Sequence, residues 1–201
     1  MRIHQCLGPV GLLLLMRAAA AGPATVHEYT VTIDYSLSSM WVEARFEHAV
    51  DTLTARARDA SRYLLDIRDC RNTGDIRMRN RRMLLPDDGI DCLNYTVDLA
   101  RAACDNRRNR TLAEGNVIVS PSVWLWRPEL GGTTELRVRF RMPEGALVSV
   151  PWELVDPTQN TYRLRRSPES SNAPTVFGAF DHRLIDVAGA SLRVAILNGS
   201  E

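Results

Sequence analysis

Nine consecutive residues near the middle of the chain, Thr134 to Met142, alternate strictly between two kinds of side chain. The even-numbered positions are apolar except for the first, and the odd-numbered positions are charged: Glu135, Arg137, Arg139 and Arg141. A period of two indicates a β-strand with its apolar side on a core and its charged side in water. Such strands are typical of an antiparallel sheet that is solvated on one face.

Turn residues flank this strand on both sides. Gly131-Gly132 precede it and Pro143-Glu144-Gly145 follow it, and these residue types favour tight turns. We therefore predict that the next apolar segment, Ala146 to Val150, pairs back on the strand as a hairpin. Pro151 should end that second strand, because proline has no N–H for a central ladder.

Further strand signals run along the chain, and turn signals recur about every 8 to 12 residues. The segments concerned are 29–35, 42–46, 50–56, 62–67, 93–99, 117–119, 162–164, 175–180 and a terminal hairpin of 184–187 with 191–197. Ala57 to Asp69 also fits helical spacing, but we interpret it as a short strand preceded by a turn. Ala100 to Asn109 has a composition suited to one or two helical turns, with a surface loop as the alternative. The pattern predicts an all-β fold, an antiparallel β-sandwich of many short strands with little helix.

The N-terminus, Met1 to Ala21, has the pattern of an export signal: a basic start, an apolar run from Leu7 to Met16, and then small residues from Ala18 to Ala21. The apolar run is too short to span a bilayer. We expect residues 1–21 to be removed as a signal peptide, which leaves one domain, 22–201. The protein should therefore be exported, with no membrane span after signal removal.

Charge excludes some partners. Loss of Arg2 and Arg17 with the leader leaves 23 arginines against 24 acidic residues. This balance does not favour binding to nucleic acid or to an anionic membrane. Two arginine clusters, Arg77 to Arg82 and Arg107-Arg108, are interpreted as solvated loop faces rather than as a site for an anionic ligand.

Three cysteines remain after signal removal, and an odd number in an oxidising compartment predicts one disulfide and one free thiol. We favour a Cys70–Cys92 bridge, because the segment between the two residues is predicted to be a loop, and a disulfide would hold the two ends of that loop together. Closing such a loop contributes about 3 kcal/mol in the chain-entropy model. The alternative pairing is Cys92 with Cys104.

No catalytic or metal-binding motif is found. The nearest approach is His27-Glu28-Tyr29-Thr30-Val31, where Val31 takes the place of the second histidine of an HExxH zinc helix, within a segment that reads as a strand. There is no nucleophile elbow, P-loop or dinucleotide fingerprint. We therefore expect no catalytic residue, no metal and no cofactor.

Three of the four tryptophans fall between residues 124 and 152. Trp124 and Trp126 are two positions apart and would share one face of a strand, while Trp152 follows Pro151. Such residues usually fill the space between two sheets, and this is the favoured interpretation. The alternative is that Trp124, Trp126 and Trp152 form part of an interface for a partner.

Several short motifs carry a family resemblance: WLWRP, RFRMPEG, VPWELVD, YRL, SPESS and VFGAF, with CLNYTVDL at 92–99. In order and spacing they resemble the N-terminal β domain of bacterial metallopeptidases related to glycyl aminopeptidase, the gluzincin family numbered sixty-one. The resemblance extends from about His27 to Leu197. In that family a thermolysin-like domain with HExxH follows the β domain, and a PDZ domain can come last.

This sequence departs from the family because none of the zinc ligands, nor the catalytic glutamate, has a matching position. The resemblance therefore implies a non-catalytic accessory domain, a fragment of a longer protein or a free-standing relative, located in the bacterial periplasm or outside the cell. Its expected partner is a peptidase-like catalytic domain or a peptide. The alternative function is that of a free-standing periplasmic peptide- or glycan-binding protein.

Overall fold

The computed structural model describes residues 24–71, 75–105, 111–112, 115–131, 134–165, 173–188 and 190–197. Strands account for 56% of the structure and helices for 10%, so the predicted all-β sandwich is confirmed. The leader, the Arg107-Arg108 cluster and the whole SPESS motif lie outside the described residues. No described helix is long and apolar enough to cross a membrane.

The strands are short, as the turn signals predicted, and helical segments are few. The strands are β1 (Val26–Ile33), β2 (Ser39–Val50), β3 (Thr52–Thr54), β4 (Leu64–Asp69), β5 (Arg77–Arg79), β6 (Arg82–Leu84), β7 (Ile90–Asp98), β8 (Thr111–Leu112), β9 (Asn116–Val119), β10 (Glu135–Arg141), β11 (Leu147–Ser149), β12 (Glu153–Asp156), β13 (Thr161–Arg165), β14 (Thr175–Gly178), β15 (Asp181–Val187) and β16 (Ala190–Ile196). The helices are α1 (Leu99–Asp105) and α2 (Pro121–Trp124), and a 3₁₀ turn covers Ala60–Tyr63.

A seven-stranded sheet in the order β12-β13-β10-β1-β2-β7-β4 forms one layer of the sandwich. Its neighbours pair antiparallel with one exception, because β1 and β10 run parallel from Val26 opposite Glu135 to Thr32 opposite Arg141. The two strands lie far apart in sequence, so no tight turn constrains their relative direction. The alternation of β10 places Leu136, Val138 and Phe140 on the core side.

The predicted hairpin between β10 and the next strand is wrong. Both edges of β10 are taken, one by β1 and the other by β13. After the turn at Pro143–Gly145, in which the Ala146 N–H donates to the Pro143 carbonyl, the chain crosses to the other layer. There β11 pairs with β14, and Val148 and Val150 enter the core. The turn residues predicted a reversal of the chain, but they did not specify which sheet the following strand would join.

The second layer is a four-stranded sheet in the order β11-β14-β9-β8, and the main core lies between the two layers. Phe140 of the large sheet meets Phe177 of the smaller one, with ring centroids 6.0 Å apart. Two smaller sheets complete the fold: β3-β6-β5, and the C-terminal hairpin β15-β16. The predicted terminal hairpin is thus confirmed, and α1 begins the segment predicted as helical turns or loop.

Candidate interaction surfaces

The three tryptophans lie in the core. Trp124 and Trp126 are fully buried and Trp152 is nearly so. The rings of Trp124 and Trp152 are 5.9 Å apart, and Phe140 stacks on Trp152 at 6.3 Å. This burial agrees with the core interpretation, so a contact surface must be sought among other residues.

The strand predicted for Trp124 and Trp126 is wrong, because Pro121–Trp124 forms the short helix α2. Pro121 occupies its first turn, where a missing N–H costs nothing, and Ser120 caps it by accepting a bond from the Ser122 N–H at 3.3 Å. Trp124 therefore lies at the end of a helix, and its spacing of two residues from Trp126 does not reflect strand alternation. Local capping chemistry outweighed the apparent strand alternation.

Two buried tyrosines hold this segment against the large sheet. Tyr29 of β1 donates to the Trp126 carbonyl at 3.0 Å, and Tyr95 of β7 donates to the Trp124 carbonyl at 3.1 Å. Tyr95 also accepts a bond from the Trp126 N–H at 3.3 Å. Burial raises the pKa of both phenols well above the ordinary value, so both stay neutral donors.

The described residues contain no group of three His, Cys, Asp or Glu side chains that could hold a metal ion. His27 lies within β1, where its Nδ1 accepts a bond from the Glu47 N–H at 3.3 Å and its ring meets Phe46 edge-on. Burial lowers its pKa, so it is a neutral residue near the start of a central strand. The HEYTV near-match is therefore part of a strand, as its alternation indicated.

The predicted Cys70–Cys92 disulfide is confirmed, with the two Cα atoms 5.5 Å apart. It joins the end of β4 to β7, and the Cys70 N–H donates to the Cys92 carbonyl at 3.3 Å. Cys104 of α1 is a free, exposed thiol. The bridge closes a 22-residue separation that includes the β5-β6 hairpin. It is structural, because it ties two strands that already pair.

An apolar surface lies on the C-terminal hairpin, and sequence reasoning missed it. Ile185 of β15 is directly opposite Leu192 of β16, and the pairing puts further aliphatic residues on the same side. This side also carries Asp181 and Arg183, opposite Ile196 and Val194, and we call its aliphatic part the hairpin face: Ile185, Val187, Leu192, Val194 and Ile196. Exposed fractions are 44%, 55%, 53% and 37% for Ile185, Val187, Leu192 and Ile196. Large aliphatic side chains grouped in this way usually mark a contact site.

The opposite side of the hairpin holds it to the sandwich. Arg193 donates to the carbonyls of Val150 and Trp152 at 3.1 and 3.0 Å, and its guanidinium lies 5.1 Å from the centre of the Tyr162 ring. Successive side chains of a strand point to opposite sides. Because the Arg193 side faces the body, the hairpin face points away from it. Alternation in residues 184–197 predicted a hairpin, yet it could not show which side lacks a cover.

The outer face of the seven-stranded sheet is charged but balanced. Four of its arginines pair with acidic neighbours on the same side: Arg45 with Glu43 at 2.6 Å, Arg137 and Arg165 with Glu135 at 3.4 Å each, and Arg163 with Glu153. A shallow depression of about 730 Å³ lies over this surface. The arginine side predicted for β10 is confirmed, although Glu135 is itself buried between two arginines.

Comparison by sequence finds no matching family model and no matching curated protein. Among solved structures, the chain is similar to an aminopeptidase N family protein from Idiomarina loihiensis, with a TM-score of 0.63 at 13% sequence identity. That likeness covers 84% of this chain and 32% of the other, so this chain spans about a third of that protein's length. At this identity the likeness shows a shared fold.

A second solved structure is yeast LTA4 hydrolase in complex with bestatin, at 9% identity and a TM-score of 0.38, covering 80% of this chain and 29% of that one. A TM-score this low carries no argument. The fold is therefore shared with part of a protein named as a peptidase, while the glycyl aminopeptidase family remains a resemblance carried by the motifs.

Proposed function

We propose that the protein is a non-catalytic accessory domain that docks, through the hairpin face, on a peptidase-type catalytic domain. The observation that carries this proposal is the group of exposed aliphatic side chains on β15 and β16, turned away from the body. An isolated two-stranded hairpin is marginally stable in water. Docking would remove these side chains from water, at about 25 cal/mol for each Å² of apolar surface.

The nature of the partner is supported by the fold comparison. In the aminopeptidase N family protein from Idiomarina loihiensis, the shared fold occupies 32% of the chain and about two thirds lies outside it. A fold of this kind therefore occurs as one part of a longer protein that is named as an aminopeptidase. The resemblance of the sequence motifs to the N-terminal β domain of glycyl-aminopeptidase-like enzymes points to the same class of partner.

Export forms part of the proposal. The Cys70–Cys92 disulfide favours an oxidising compartment such as the periplasm. The leader predicted at residues 1–21 agrees with that location. An exported accessory domain would meet its catalytic partner after secretion, where its disulfide persists.

The test is binding of the purified protein to the catalytic domain of a glycyl-aminopeptidase-like metallopeptidase supplied in trans. Ile185→Ser combined with Leu192→Ser removes a directly opposed pair from the hairpin face. We expect this variant to bind at least about tenfold more weakly, because burying a large aliphatic side chain contributes about 1.5 to 3 kcal/mol. Leu65→Ser is the matched control, since Leu65 is similarly exposed but lies on β4.

Equal binding by the hairpin variant and the native protein would overturn the proposal. Self-association must be measured alongside, by analytical ultracentrifugation over a range of concentrations. A dimer of the native protein that the hairpin variant abolishes, without any binding of the catalytic domain, would identify a second copy of this chain as the occupant instead.

A further inference from the structure

The three-stranded sheet β3-β6-β5 carries an unusual row of residues. Arg79 of β5 lies directly opposite Arg82 of β6, and Arg82 lies opposite Thr54 of β3. Thr54 in turn forms a β-bridge with Arg127: the Thr54 N–H donates to the Arg127 carbonyl at 2.8 Å, and the Arg127 N–H donates to the Thr54 carbonyl at 3.2 Å. Residues paired across strands point to the same side of a sheet. Three arginines thus share one side of four adjacent backbone segments.

The row places two arginines directly opposite each other. Like charges placed directly opposite each other destabilise a sheet. None of the ion pairs within the described parts of the chain involves Arg79, Arg82 or Arg127. On the outer face of the seven-stranded sheet, by contrast, acidic residues pair with four of the arginines. The row differs from that face in having no ion pair, although Arg137 also lies directly opposite Arg163 there.

Arg127 is the end member of the row, and it is half-buried. Burial lowers its pKa, the nearby Arg56 lowers it further, and Tyr29 acts weakly in the opposite direction. Taking a cation out of water without a counter-charge is costly. An anion bound beside Arg127 would offset that cost.

The arginines border a groove of about 760 Å³. Arg56, Arg79, Arg81, Arg82 and Arg127 line it, against a single acidic residue, Glu129. The groove is held in shape by the backbone, since the Ala55 N–H donates to the Arg81 carbonyl at 3.1 Å. Asn80 makes the β5-β6 turn with a φ of 57°, a conformation that asparagine tolerates well. We call this surface the arginine groove.

We propose that the arginine groove binds a phosphate or sulfate group. A guanidinium presents N–H donors in a planar fork that matches the oxygens of such groups, and several forks can share one tetrahedral dianion. A single carboxylate would leave most of the positive charge unbalanced. The ligand class is therefore a phosphate or sulfate ester, or the free ion.

The test is calorimetric titration of the purified protein with inorganic phosphate, sulfate and acetate, each at the same ionic strength. We expect saturable binding of phosphate and sulfate at one site and much weaker binding of acetate. Arg82→Gln and Arg127→Gln should each weaken dianion binding about tenfold or more, because each removes a charge-assisted hydrogen bond. Binding of phosphate alone would identify phosphate esters as the ligand class, and binding of sulfate alone would identify sulfate esters.

Arg141→Gln is the matched control, because it removes the same charge from the exposed outer face of the seven-stranded sheet. It should leave binding unchanged. An equal loss in Arg141→Gln, or the absence of saturable binding, would overturn the site and leave only general attraction between charges.

Stability separates a binding role from a structural one. Without phosphate or sulfate, Arg82→Gln should unfold at the same or a higher denaturant concentration, because it relieves repulsion from Arg79. Added phosphate should raise the midpoint of the native protein but not that of the variant. A variant that is less stable in the absence of anions would contradict the proposal. The serine variants of the hairpin face should bind phosphate normally, so the two proposals fail independently.

Discussion

The sandwich body and the C-terminal hairpin are both made of alternating strands, but they differ in what covers their apolar sides. In the body, the apolar side of β1, β2, β7 and β10 lies against the second sheet and α2. In the hairpin, residues such as Val187 and Leu192 remain more than half exposed. The body holds together through burial, and the hairpin is attached to it through Arg193.

This difference teaches that an apolar strand face has two uses. Where another layer covers it, the face stabilises the fold, and every methylene removed costs free energy. Where no layer covers it, its residues add little to stability and remain free for recognition. Mutations of equal chemistry should therefore have unequal effects in the two regions.

The largest effect should come from the aromatic centre of the body. Trp124→Ala should lower the free energy of unfolding by about 3 to 5 kcal/mol, because a fully buried ring that packs on Phe140 and Trp152 leaves a cavity. Denaturant unfolding measures it. Trp41→Ala is the control, since Trp41 is 43% exposed on the wet side of β2 and should cost far less. Equal losses would break the distinction between covered and uncovered faces.

Removing the disulfide should come next. Replacing both Cys70 and Cys92 by serine should cost about 3 kcal/mol, because the bridge restricts the unfolded chain over a separation of 22 residues. The matched variant, Cys104→Ser, should leave the unfolding midpoint unchanged. Peptide mapping without reductant should recover one peptide pair that contains Cys70 and Cys92. A pair joining Cys92 to Cys104 would contradict the structure.

A smaller loss is expected from Tyr95→Phe, about 2 kcal/mol, because the Trp124 carbonyl and the Trp126 N–H lose their partner in the core. The pKa of Tyr95 is raised by burial, so its contribution to stability is complete below about pH 10 and declines as the pH rises further. Between about pH 9 and pH 11, the free energy of unfolding should decline less steeply in Tyr95→Phe than in the native protein. Part of the decline should remain in the variant, because burial also raises the pKa of Tyr29. An identical slope in both proteins would contradict this account.

The smallest effect on stability should come from the hairpin face. Ile185→Ser with Leu192→Ser should change the free energy of unfolding by less than about 0.5 kcal/mol, as is usual for exposed positions. Val138→Ser in the core side of β10 is the comparison and should cost several times more. A large loss from the hairpin variant, measured in the same denaturant series, would show that the hairpin face is a packed surface after all.

Several features could be predicted from the residues alone because their causes are local. The alternation in 29–35, 93–99 and 134–142 predicted β1, β7 and β10, and glycine with small residues at 188–190 predicted the terminal turn. The Cys70–Cys92 pair followed from the loop between the two residues. The signal peptide at 1–21 and export stay predictions, since those residues lie outside the described ones.

The errors arose where distant parts of the chain compete for the same place. Residues 146–150 could pair with β10 by turn chemistry, but β1 and β13 already occupy its two edges. The Trp124–Trp126 spacing indicated a strand, yet Ser120 and Pro121 begin a helix there. The arginines of 77–82 are solvent-exposed, as interpreted, but they lie on a hairpin whose pairing places Arg79 and Arg82 in one row with Arg127, about 50 residues away.

By itself, the sequence determined the all-β class and the sides of the main strands that are apolar, and it favoured the observed cysteine pair over one alternative, because period, turn chemistry and loop closure act over short stretches of chain. Only the tertiary structure decided that β1 and β10 pair in parallel, that the tryptophans fill the core, and that the hairpin face stays uncovered. The physical reason is that alternation makes one side of a strand apolar without specifying what covers it. The covering segment is the one that buries the largest apolar area there while its own backbone groups remain hydrogen-bonded.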